Sequence, residues 1–364
     1  MGSAVAAQAA KRGLTVAGIE QFAPVHAFGA SHGRTRLIRM AYFEGAEYVP
    51  LLRRSYELWD ELELQSGRVL RSRSGAIFVG NPQTELIAGT LGSAARYGLA
   101  AESLTHAELG ARYPHLHLQP DEVGVYEPVA GAVFPEATVE AQLESAQRYG
   151  AILQFETRIE KWVAEADTVR LTLAGGAEVT ARKLVLTIGP WFAQIFAELG
   201  IALQIERNVQ TWFEPQTPGT FEPERFPAFA LERAGRFFYG FPDYGDGVKC
   251  AFHHTGVFTD PHTLDRTVSA AEIEENRAAL HAFIPQAAGA YRGSVACMYA
   301  LTPDHHFVIG PHPRHDNVFL AGGFSGHGFK FVPVIGEILT NYVMTGKPGH
   351  DITMFDPQRA YSGR

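Results

Sequence analysis

The 364-residue chain reads as an α/β (α+β) protein in two parts. One is a discontinuous open-sheet part in which strands and helices alternate. The other is a domain built on a large antiparallel sheet. Three observations predict this. An Ala-rich helix, a short apolar strand and an acid follow one another at the N-terminus. Residues 200–300 turn to short alternating runs rich in Phe, Tyr and Thr. Residues 318–345 return to strand, glycine-rich loop and helix.

Residues 3–12 form the first helix, closed by Gly13 as a C′ residue. Residues 14–19 read as a buried parallel strand ending at Glu20. Helix, strand and acid are the second half of a βαβ dinucleotide unit, whose acid binds a ribose hydroxyl about 20 residues after the Gly-rich turn. Gly2 stands where the third glycine of G-x-G-x-x-G belongs. The first strand of that nucleotide fold is absent from the sequence. The expectation is that Met1 is an internal start with the strand upstream; a true truncation is the alternative. Tyr48, Leu51, Leu52, Tyr56, Leu58, Trp59 and Leu62 place a helix over 46–65. A strand at 75–80 and helices at 83–98, 106–112 and 136–149 follow. Strands come next at 152–155, 159–163, 169–173 and 183–188, and Gly-Pro-Trp at 189–191 opens a helix to 198. Alternation at 236–241 and 247–252 marks the antiparallel sheet, which a helix at 270–283 interrupts. The expected division is 1–80, 136–200 and 301–364 for the nucleotide part, with 81–135 and 201–300 for the sheet domain.

Composition narrows the function. The net charge is −8 and no run of Lys or Arg exceeds two, which argues against a nucleic-acid partner. No apolar stretch is long enough to span a membrane, and no secretory segment is evident. The two cysteines make no disulfide framework and suit a reducing compartment. A soluble, cytoplasmic protein is expected.

Four motifs carry chemistry. Residues 321–330 (AGGFSGHGFK) follow a strand, hold four glycines within seven residues and lead into a helix. Such a loop aims backbone N–H groups at an anion or an electron-rich ring edge, and Lys330 can add a full charge; an ordinary glycine-rich turn has the same composition. Residues 31–39 (SHGRTRLIR) gather Arg34, Arg36 and Arg39, whose planar forks suit a carboxylate, although three neighbouring arginines also describe a solvated surface. Cys297 lies in an apolar strand, where a cysteine is ordinarily inert core, as Cys250 is read to be. Lys249, in the run 247–253, is costly in an apolar strand unless paired or used, or else it is a snorkelling edge residue. The pairs His253–His254 and His305–His306 do not form a metal site, because adjacent strand residues point to opposite faces.

Five runs in this order, 31–42, 47–50 (EYVP), 239–242 (YGFP), 296–299 (ACMY) and 323–331 (GFSGHGFKF), resemble the monomeric sarcosine oxidase and N-methyl-tryptophan oxidase family, from Met1 to about Phe355. The resemblance implies an FAD-binding Rossmann-like domain and a substrate domain, with FAD bonded covalently to Cys297. It implies that Arg39 and Lys330 hold a substrate carboxylate and that Lys249 lies near flavin N5 and assists O2. Tyr239 and His253 would line the substrate pocket, and His32 and Arg36 would approach the isoalloxazine. Glu20, Gly2, Ile159, Gly189 and Trp191 would serve the adenosine and pyrophosphate side. Gly323, Gly326, Gly328 and Phe329 would face the flavin edge that gains charge on reduction. The implied reaction oxidises an N-methyl or other secondary amino acid to an imine and reduces O2 to hydrogen peroxide, in a monomer. Pipecolate, proline or fructosyl-amine oxidation, electron transfer to a quinone, and a flavin-free remnant are the alternatives. Two departures stand out: the absent first strand, whose Gly-rich turn would cradle the pyrophosphate, and Ala230 where the family has a bulky Met, which implies a larger substrate.

Overall fold

The computed structural model describes residues 1–361. Helix Gly2–Lys11 forms as expected, because alanines fill its buried face and Gly13 takes a left-handed φ of 84° just past its end. The strand after it is shorter than expected, Ala17–Ile19, and pairs in parallel with Ile152–Gln154 only. Leu184–Leu186 and His315–Gly322 form a second parallel pair, with Val308–His312 antiparallel at its edge. The open sheet is therefore in two pieces among the described residues. Ile19 and Leu184 pack on one apolar cluster, and a Cβ added at Gly2 would touch the Thr187 hydroxyl, so the two pieces lie side by side under the first helix.

The second part is a nine-stranded sheet. Near one edge, Gln204–Phe213 is paired along its whole length with Tyr291–Leu301. On its other side Val248–Phe252, Arg236–Phe241 and Ala228–Arg233 follow as antiparallel neighbours. Ala228–Arg233 then pairs in parallel with Ala76–Gly80, which pairs with Val123–Glu127. The sheet is not wholly antiparallel, because its one parallel junction joins segments distant in sequence that no hairpin constrains. And Ala76–Gly80, grouped with the nucleotide part by the sequence, hydrogen-bonds on both edges within the large sheet.

Side chains on alternate faces of this sheet have different fates. One face, with Phe229, Leu231, Phe238, Cys250 and Phe252, is covered by helix Ala270–Phe283 through Leu280 and Phe283. The register pairs Phe241 and Trp212 with Lys249, Asn208 with Cys297, Glu206 with Tyr299, and Ala230 with Tyr239. Directly paired residues share a face, so all of these point the other way, toward the loops of the first part. No helix among the described residues is long and apolar enough to cross a membrane.

Candidate active site

Three backbone segments converge on the polar face of the large sheet. The first is the loop 31–35, which runs into the strand Arg36–Ile38. Gly33 (φ 92°) and Arg34 (φ 68°) are both left-handed, and a Cβ at Gly33 would collide with the Gln210 amide oxygen. Only glycine fits that close approach. The second is the glycine-rich loop, where Gly323 and Gly326 are left-handed and a Cβ at Gly326 would strike the Tyr299 ring. The third is the turn at His305. Arg34, His305 and Ser325 are three of the six non-glycine residues with positive φ among the described residues, a concentration of backbone strain of the kind found at functional sites.

The loop 31–38 brings its cations to the wall. Arg36 donates to the carbonyl oxygens of Thr35 and Ala30 and lies 3.5 Å from the Cys297 sulfur. Lys249, 2% exposed, donates to the carbonyls of Gly33 (2.6 Å) and Thr35 (2.8 Å) and to the Thr35 hydroxyl. Burial, with Arg36 nearby, holds its pKa well below the usual lysine value. His32 is buried beside them, and burial, reinforced by the same cations, pulls it down to about 3, so it is neutral.

Arg39 and Lys330 form a second cationic cluster around Tyr42. The Arg39 guanidinium lies over the rings of Tyr42, Phe43 and Phe78 and pairs with buried Glu44. Phe78 stands opposite Ala230 on the polar face, which ties this cluster to the wall. Lys330 donates to the His327 carbonyl at 2.8 Å and reaches the Tyr42 hydroxyl at 3.4 Å. Helix Val49–Ser66 fixes its backbone, since Ser55 and Trp59 both donate to the Lys330 carbonyl. Burial, then repulsion from Arg39, lowers Lys330 to about 7. Between the clusters, the Tyr299 hydroxyl is 3.4 Å from both the Tyr239 hydroxyl and His253 Nδ1. Burial raises both tyrosines and drives His253 well below 6.5.

The structure thus gathers Arg36, Cys297, Lys249, His32, Tyr239, His253, Arg39, Lys330, Gly323 and Gly326. The remaining sequence candidates lie elsewhere. Glu20 accepts from the Phe22 amide and faces His26; Trp191, just past left-handed Gly189, packs on Phe22 and His262. Gly2 opens the first helix. Ile159 sits in a separate three-stranded sheet opposite Leu173. Gly328 closes on the Phe324 ring, and the Phe329 side chain turns into the core beside Trp59.

Several members escaped the sequence reading. Tyr299 closes the run 296–299, where nothing local gives it a role. Glu44 and Glu136 carried no signal beyond being acids near Arg39 and after Pro135. Gln210 and Asn208 carried only the alternation of their strand. These polar residues offer a test of whether a polar ring system fits. His32 Nε2, Arg39 Nε, Asn208 Oδ1 and both amide atoms of Gln210 are buried without a hydrogen-bond partner. Buried polar atoms seldom stay unpaired, and these five lie on the convergent wall, so the residues there fit a polar group set against them.

Comparison with known proteins decides the family. Residues 1–342 match the family described as FAD dependent oxidoreductase (DAO). The chain belongs to that family. It is 44% identical to monomeric sarcosine oxidase of Streptomyces avermitilis, over 99% of this chain and 95% of the relative. It is 36% identical to monomeric sarcosine oxidase of Bacillus sp. strain B-0618, over 99% and 93%. It is 32% identical to N-methyl-L-tryptophan oxidase of Shigella dysenteriae serotype 1, over 98% and 95%. Among solved structures, the open form of the Tyr258Phe mutant of NikD, an unusual amino acid oxidase essential for nikkomycin biosynthesis, superposes with a TM-score of 0.86 at 22% identity, covering 100% of this chain and 95% of that one. L-proline dehydrogenase from P. horikoshii gives 0.84 at 22% identity over 98% and 94%. At those identities the likeness is one of fold. The chain is an FAD-dependent amine oxidoreductase by family.

Proposed function

We propose that this protein oxidises an N-methyl or other secondary amino acid at the carbon next to nitrogen and passes the electrons to O2, giving an imine and hydrogen peroxide. The observation that carries the reading is the convergence of Arg39, Lys330 and Lys249, all buried, with Cys297 and partnerless polar atoms on one sheet face. Bound FAD supplies the two-electron chemistry, and the protein supplies binding, orientation and electrostatics.

Arg39 and Lys330 receive the substrate carboxylate through charge-assisted hydrogen bonds. A carboxylate at Arg39 competes with Glu44 for the guanidinium, so substrate exchanges one buried ion pair for another. Neutral His253, Tyr239 and Tyr299 line the space between and provide hydrogen-bonding tips without adding charge. Cys297, with the Arg36 guanidinium against its sulfur, is the residue that would hold FAD covalently. His32, Gln210 and the loop from Gly323 to Gly326 would meet the ring's polar edge. Glu20, Trp191, Gly189, Gly2 and Ile159 would serve the adenosine side. Lys249 would hold positive charge where O2 becomes negative. We also place the protein in the cytoplasm as a monomer, in keeping with its two free thiols.

One experiment tests the core of this. The purified protein is acid-precipitated and its visible spectrum taken, and the native protein is assayed for peroxide with sarcosine, N-methyl-L-tryptophan, pipecolate, proline and a fructosyl amino acid. A yellow pellet that becomes colourless in Cys297→Ser, with peroxide formed from an N-methyl substrate, is the expected result. Flavin released wholly to the supernatant removes the covalent link. Turnover of cyclic or sugar-linked amines alone moves the substrate class.

A further inference from the structure

Glu136 lies in the first turn of helix Pro135–Arg148, on the far side of the loop 31–35 from the large sheet. Its Oε1 accepts from the Gly33 amide at 2.7 Å and from the Arg34 amide at 3.1 Å. The two successive left-handed residues turn these N–H groups toward one point, and the carboxylate fills the resulting anion nest. The peptide group between Gly33 and Arg34 has two ends. Its N–H points to Glu136, and its carbonyl oxygen, that of Gly33, accepts from Lys249 Nζ at 2.6 Å. An ammonium and a carboxylate thus sit at opposite ends of one peptide dipole, each against the end of opposite charge. That dipole is aligned so that each charge strengthens the other's hydrogen bond.

We propose that Glu136 is the positioning residue for Lys249: it fixes the Gly33–Arg34 peptide and, through it, keeps the buried lysine charged and aimed at the polar face of the sheet. The other groups facing Lys249 do not do this. Arg36 and His32 come from the same loop, and Arg36 opposes its charge. Cys250 is on its own strand, and Cys297 is beside Arg36. Trp212 and Phe241 flank the ammonium at 5.4 and 5.1 Å and bring no net charge. Glu136 is the carboxylate that acts on it through a continuous hydrogen-bonded path. The functional consequence rests on the reading of Lys249 as the group that assists O2; the coupling of the two residues does not.

The decisive variant is Glu136→Gln, which keeps an oxygen to accept both amides and removes only the charge. The full chain has six lysines, so lysine labelled with carbon-13 at Cε gives a spectrum in which Lys249→Met identifies the Lys249 signal. The expected result is that the Lys249 titration midpoint drops by about one pH unit in Glu136→Gln, a tenfold loss of proton affinity. Glu136→Ala, which also frees the peptide, should drop it at least as far. A midpoint unchanged in Glu136→Gln overturns the proposal, whether or not Glu136→Ala folds. In stopped flow, Glu136→Gln should slow reoxidation by O2 three- to tenfold, with anaerobic reduction by substrate within twofold of the parent, and it should add nothing in the Lys249→Met background. If Lys249→Met itself reoxidises normally, the oxygen role of Lys249 fails, and the titration alone judges the coupling.

Discussion

Lys249 and Cys250 are neighbours in one strand, and they belong to different proteins in all but covalent connection. Lys249 faces the loop 31–35 with its charge held by three oxygens. Cys250 faces helix Ala270–Phe283 in a cluster of phenylalanines, where burial pushes its thiol up to about 12 and leaves it inert. The contrast extends across the sheet. The helix-covered face is a dry apolar core made for stability. The opposite face collects buried cations, neutral histidines and polar atoms without partners, all of which cost folding free energy. One set of strands thus separates the two demands by the period of two in its side chains, and strain at the site is supported from behind.

The largest test of this division is on the apolar face. Phe283→Ala should lower unfolding free energy by about 3–5 kcal/mol, measured by urea denaturation, while the flavin spectrum of the folded fraction stays as in the parent. A spectrum altered as much as the stability would show that the faces are coupled. On the other face, Lys249→Met should slow flavin reoxidation by roughly 100-fold yet change unfolding free energy by less than about 2 kcal/mol, because it removes a buried charge while stranding two carbonyls. Equal slowing of both half-reactions in stopped flow would take the oxygen role away from it.

A smaller effect should appear in pH dependence. Lys330 titrates at about 7 in the free protein, so below that pH the ammonium is present and above it the charge is lost. The affinity of a carboxylate inhibitor should fall as pH rises beyond 7, by up to about tenfold per pH unit, and Lys330→Met should flatten the profile. Affinity independent of pH from 6 to 9 would remove Lys330 from the carboxylate clamp. The smallest effect is expected at Cys250→Ala. It should cost about 1 kcal/mol or little more and leave covalent flavin in place, in contrast to Cys297→Ser.

The two acids that attend the cations show where sequence reading stops. Arg39, Lys249 and Lys330 stand out in the sequence because charged residues within apolar runs need a reason. Their partners do not, because Glu44 and Glu136 look like any surface acid until the chain brings them inward. Glu127 is a further case. It is wholly buried, accepts from the amides of Met40 and Ala41 just past Arg39, and is raised by burial to about 7, yet nothing beside it in the sequence sets it apart. Tyr299 was legible as part of a motif, but its contacts to Tyr239 and His253 needed the register between strands that lie far apart in the chain.

By itself the sequence determined the periodicities, and with them the place of most of the helices and of many strands. It also determined the inventory of unusual residues, since an apolar strand holding a lysine, or four glycines before a helix, is anomalous wherever it folds. Pairing was decided by tertiary structure alone. The parallel junction of Ala76–Gly80 with Ala228–Arg233, the approach of Arg36 to Cys297 and the peptide bridge from Glu136 to Lys249 all join segments separated by 100 residues or more. Local pattern reports the period of a chain, whereas contacts at such separation depend on which faces meet, and that is settled by the packing of the whole.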